Sequence, residues 1–141
     1  MSLFNLFGKS SKNTLQTTFQ VGQEWRYHTR PGEENSRVKV VKIENYEEIG
    51  NLIHISVSSV KIRNPKYPNG LLEEVLHLPV NEESLKKSIT RLETSEADLP
   101  AYEFGYVRWK SAFDEQKAGY FGIPLREVLQ WLEDGTYEVK G

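Results

Sequence analysis

Four aromatic residues, Tyr102, Tyr106, Trp109 and Phe113, recur at i, i+4, i+7 and i+11, the spacing of one stripe on a helix. A stripe so bulky must lie on another element, and the residues ahead of it read as strands that can supply one. The spacing therefore predicts an α+β fold: an antiparallel sheet of about four strands in the N-terminal half, packed by about three C-terminal helices. The Tyr102–Lys117 helix is expected to lie on that sheet.

The strands are read from alternation. Between Gln23 and Arg30, Trp25, Tyr27 and Thr29 point one way and Glu24, Arg26, His28 and Arg30 the other. A turn from Pro31 to Ser36 leads into Arg37–Glu44, where the Val40–Val41 doublet breaks alternation and predicts a bulge or a two-sided strand. The third strand runs from Leu52 to Ile62, and its apolar phase flips across Ser58–Ser59. Register between these two strands is unsafe, because a slip of one residue exchanges every face. Leu71–Leu78, bounded by Gly70 and Pro79, is read as the fourth strand.

Helical signals follow. Asn81 caps a helix with Glu82 and Glu83 in its first turn, and Leu85, Ile89 and Leu92 form its apolar seam. The aromatic helix carries Gly105 inside it, which points to close packing, and stops at Gly119. Tyr120–Ile123 is extended. Pro124 opens a last helix with Leu125, Val128, Leu129 and Leu132 inward and Asp134-Gly135 at its end. Residues 1–18 are read as a flexible tail with an apolar tip of Leu3, Phe4, Leu6 and Phe7, and 19–141 as a single domain.

Composition narrows the function classes. The chain has 141 residues, a net charge of −2 and no cysteine. That removes thiolate catalysis and cysteine-based metal sites, fits a reducing cytoplasm, and gives no global field toward nucleic acid. No apolar run reaches the roughly 18 residues of a membrane span. There is no G-x-S-x-G, P-loop or G-x-G-x-x-G. His28, His54 and His77 fall on separate strands without H-x-H or H-x-x-x-H spacing. Three imidazoles on a meander could ligate zinc or iron, or could simply be polar positions on a sheet face. The carboxylate doublets, Glu73–Glu74 among them, point to opposite faces of a strand or lie on solvated helix sides. No catalytic residue, metal or cofactor is expected.

The basic residues are better organised. In a meander the Pro31–Ser36 turn brings Arg30 near Arg37 and Lys39, and the end of the third strand returns Lys61 and Arg63 to the same edge, with Lys66 and Tyr67 in the next loop. These seven residues form the candidate binding site, for an anion or an acidic partner, or else a charged edge that resists pairing. Glu33 and Glu34 blunt the patch and argue against nucleic acid. Glu93, Glu96, Asp98 and Glu103 make an opposite, acidic segment. Tyr106 and Trp109 either line a pocket for a planar ligand or pack as core.

The run from Gly22 to Glu33, the run from Gly50 to Val57 and the run from Ala112 to Gly119 resemble small single-domain bacterial proteins of unknown function, over most of the chain after about residue 20. That resemblance implies a bacterial, cytoplasmic protein and carries over no catalytic residue. In size and class the chain also resembles the immunity proteins that neutralise bacterial toxins. The expected role is non-enzymatic: a protein-binding or accessory module, such as an immunity-type inhibitor, docking on another protein by charge. The alternative is a small-ligand-binding protein or hydrolase using His28, His54, His77 and nearby glutamates.

Overall fold

The computed structural model describes residues 19–140; the expectations for the N-terminal tail fall outside them. The elements are β1 (Glu24–Tyr27), β2 (Arg37–Tyr46), β3 (Gly50–Arg63), β4 (Leu71–Asn81), α1 (Glu82–Ser88), β5 (Ile89–Thr94), α2 (Glu103–Asp114) and α3 (Leu125–Lys140). One antiparallel five-stranded sheet has the order β4-β3-β2-β1-β5. The α+β arrangement is as expected, with one strand more.

That extra strand corrects the reading of residues 81–92. Asn81 does cap α1, accepting from Ser84 N–H at 2.8 Å, and Leu85 enters the core. The helix stops at Ser88, and Ile89–Thr94 pairs with β1. The spacing of Leu85, Ile89 and Leu92 fits a helix locally, but Ile89, Thr90 and Thr94 are β-branched, and the open edge of β1 offers them a hydrogen-bonded ladder.

One face of the sheet carries the apolar core. Tyr27, Val38, Val40, Ile53, Ile55, Val57, Leu78 and Val80 pack there under Leu85 of α1 and Leu125, Val128 and Leu129 of α3. Pro124 precedes α3, and its carbonyl accepts from Glu127 and Val128 N–H. The helix does not stop at Asp134-Gly135 but continues to Lys140. A glycine within a helix lowers its stability without ending it.

The aromatic helix also differs from expectation. It ends at Asp114, not beyond, because Gln116 takes the left-handed conformation (φ 62°). Lys117 N–H then bonds to Ala112 O at 2.8 Å and Gln116 N–H to Phe113 O at 3.0 Å, the two bonds of a Schellman motif. None of the residues of α2 is buried. The helix packs on β4, but over polar side chains instead of the apolar floor its stripe suggested. The extended segment after it lies against the outer rim of β4, with Phe121 N–H bonding to Pro79 O at 3.0 Å and Asn81 N–H to Phe121 O at 2.9 Å.

Candidate functional site

Both expected irregularities in β2 and β3 are present. Val40 pairs with Ile55 but Lys42 with His54, so Val41 is one residue extra on β2. That insertion turns Lys42 and Glu44 away from the core face and onto the face of His54. On the other flank, Ile55 pairs with Leu78 and Val57 with Val75, so Leu76 and His77 together oppose Ser56. Two bulges thus flank the same stretch of β3. The second flip, at Ser58–Ser59, coincides with a register shift and with φ 55° at Ser59.

The result is a hydrogen-bonded series. His54 Nε2 lies 2.9 Å from Glu44 Oε1, and His54 Nδ1 lies 2.9 Å from His77 Nε2. Tyr106 OH donates to Glu44 Oε2 at 2.5 Å and Tyr46 OH to Glu44 Oε1 at 3.0 Å. Lys110 Nζ reaches Tyr46 OH at 3.2 Å and Asp114 at 3.0 Å. Trp109 stands edge-on to His54, stacks on Phe113, and donates its Nε1–H to Gly119 O at 2.7 Å. Gly105 lets the helix reach β4: its missing side chain would meet His77.

Protonation follows from this geometry. Burial pushes Glu44 up, but bonds from Tyr106, His54 and Tyr46 outweigh it and hold the carboxyl below its ordinary range. An ionised Glu44 accepts His54 Nε2–H, so His54 Nδ1 is the acceptor for His77 Nε2–H, and His77 Nδ1 carries no proton. Burial lowers His54, and lowers His77 to about 4 with help from His54. Burial and the bond to Glu44 raise Tyr106. Both rings are therefore neutral near pH 7.

His28 takes no part. It is exposed and lines a hollow of about 300 Å³ with Lys87, Ser88, Pro124 and Arg126. Larger hollows of about 500 and 450 Å³ lie at the β2–β4 ends and at the start of α1, away from the two stacked imidazoles. Among the described residues no group of three or more potential ligands is arranged to hold a metal, and no helix is long and apolar enough to cross a membrane. Among the described residues, His54 and His77 are the imidazoles that converge.

The seven basic-edge residues divide into three. Arg30, Lys61 and Arg63 do come together, around carboxylates. Arg30 holds Glu33 at 2.7 Å and Glu133 at 3.2 Å, Lys61 N–H donates to Glu33 at 2.6 Å, and Arg63 N–H donates to Glu133 at 2.6 Å. Lys66 and Tyr67 lie in the exposed 64–70 loop. Arg37 and Lys39 sit on the sheet face opposite the core, with Glu24 and Arg26 of β1 and Arg91 and Glu93 of β5. There Arg26 and Arg91 are direct cross-strand partners. Glu93 pairs closely with Arg26 and lies 3.9 Å from Arg37; these guanidiniums, with Arg91, hold its carboxyl low. Lys39 lies 4.0 Å from Glu24 and donates to Asp98 O. The acidic segment is consequently divided, with Glu93 engaged by arginines and Glu96 exposed in the following loop.

Sequence reasoning passed over Arg26, Arg91, Glu44 and Glu133. Alternation along Gln23–Arg30 already placed Arg26 on the polar face. For the others the signal lies in strand pairing and in the return of α3. No family model, curated protein or solved structure matches the chain, so the reading of these sites rests on their geometry.

Proposed function

We propose that this chain is a non-enzymatic binding module that takes an acidic protein partner on the β1–β2–β5 surface. The observation that carries this reading is the direct opposition of Arg26 and Arg91. Like charges facing each other across a ladder destabilise a sheet. This surface gathers Arg26, Arg37, Lys39 and Arg91 against Glu24 and Glu93, and α2 packs on β4 at the far end. Arg26 is 45% exposed. Glu24 and Glu93 answer part of this positive charge; an acidic partner supplies the rest, and such complementarity speeds encounter and fixes register. An immunity-type inhibitor in a bacterial cytoplasm is the form of module that size and class suggest.

The test uses a fluorescent oligo-glutamate peptide as the partner's surrogate. Binding should weaken with salt and fall at least about tenfold, or 1.4 kcal/mol, in the double variant Arg26→Glu, Arg37→Glu. Equal binding by the variant, or tighter binding of duplex DNA than of the peptide, would overturn the choice of partner.

The Glu44–His54–His77 series favours a second reading, a small-ligand site or hydrolase with His77 Nδ1 as base. Its depressed basicity and its position beneath α2 weigh against it. Saturation of His77 by an imidazole-selective acylating reagent at neutral pH, faster than His28, would favour that reading.

A further inference from the structure

Helix α2 is held to the sheet by polar groups. It has no buried residue, and two of its outer side chains, Phe104 and Val107, are 74% and 60% exposed. Its inward contacts are Tyr106 on Glu44, Trp109 against both imidazoles, and Lys110 on Tyr46. The floor they meet is built by two bulges, with His54 fully buried in the middle.

This seat suits neutral rings. His54 gives its N–H to Glu44, so its Nδ1 must be bare to accept from His77. One proton added at His54 Nδ1 keeps the ring-to-ring bond only by reversing it, with His77 passing its own proton to its Nδ1; a second proton sets N–H against N–H and breaks the bond. A proton added at His77 creates a cation on the ring that faces Gly105 of α2. We propose that the Glu44–His54–His77 series is a proton-operated latch for helix α2, closed while both rings are neutral and released when they take up protons.

The groups facing the rings support this direction. From β2 come Glu44, Tyr46 and Lys42; from α2 come Tyr106 and Lys110, the latter paired with Asp114. Among the described residues Glu44 is the carboxylate bonded to a ring; it favours a charge there, but burial outweighs it. Lys42 and Lys110 oppose any added positive charge at His54.

The sign follows from linkage. In the released state the rings titrate near 6.5, and in the closed state lower, His77 at about 4. Closure is therefore fully favoured above 6.5 and weakens as pH falls toward 4. Over that window the released-to-closed ratio rises by up to about tenfold per pH unit for each ring. Release uncovers the inward aromatics Tyr106, Trp109 and Phe113.

Hydrogen exchange of the full chain between pH 7.5 and 5, corrected for intrinsic rates, tests the latch. Peptides covering 103–114 should lose at least about tenfold protection while those covering 125–135 hold theirs. In His77→Gln the 103–114 response should flatten. Joint loss from both helices, or an unchanged pH response in the variant, would overturn the proposal. The wild-type chain gives an independent reading: imidazole ¹⁵N shifts at pH 7 should show His54 with a bare Nδ1, and a charged ring there would also overturn it.

Discussion

A methyl group built on Gly105 would lie 3.0 Å from His77 Cβ, closer than the two elements can accommodate at their present spacing. His77 Cβ belongs to a paired strand and cannot swing aside. Gly105→Ala should therefore push α2 outward, against a gain of about 1 kcal/mol in helix propensity. Overpacking typically costs about 1–3 kcal/mol, so the net expectation is a loss of about 1 kcal/mol in urea unfolding. Weaker protection of 103–114 should accompany it. A stabilised variant would show that the helix has room to shift without penalty.

Gln116 holds the left-handed C′ position of α2 at φ 62°. An L-residue pays a steric penalty there that glycine avoids. Gln116→Gly should stabilise the chain by about 0.5–1 kcal/mol, read as a higher urea midpoint with unchanged slope.

Glu133 joins α3 to the sheet by accepting Arg63 N–H and pairing with Arg30. Burial pushes its carboxyl up, but Arg63 and Arg30 prevail and hold it below 4.5. Its contribution is present above the ordinary pKa and is lost as pH falls through the lowered one. Glu133→Gln should cost about 2–3 kcal/mol at pH 7 and shrink the loss of stability below pH 4.5. Thermal melts across that window check both.

Tyr27 is buried with its hydroxyl 2.7 Å from Ser36 Oγ, and burial pushes its pKa up to about 12. A raised pKa keeps the neutral phenol favoured, so this stability is full below 10 and is lost as pH rises toward 12. Tyr27→Phe should flatten the alkaline limb while costing about 1 kcal/mol at pH 7, since Ser36 loses its partner.

Much of the sheet was legible because alternation is local. The Val40–Val41 doublet and the flip at Ser58–Ser59 announced their irregularities, and Asn81 and Pro124 marked helix starts. Ile89–Thr94 was not legible, because its spacing suits a helix until β1 stands beside it. The imidazole cluster could not be read either. Glu44 reaches His54 only once the extra residue at Val41 has shifted its face, a matter of register that no single strand encodes. The basic edge was half legible: the turn does gather Arg30, Lys61 and Arg63, but Glu133, the counter-charge of Arg30 and Arg63, stands 103 residues from Arg30.

The short pairing of Phe121 with Pro79 and Asn81 has a consequence for synthesis of the chain. Until the ribosome has delivered Tyr120–Gly122, Pro79 O and Asn81 N–H on the rim of β4 are open to any passing strand. A nascent chain stalled or cut just ahead of that tripeptide would keep both the unsealed rim and a core that α3 has yet to cover, and clumping should distinguish such fragments from the finished product.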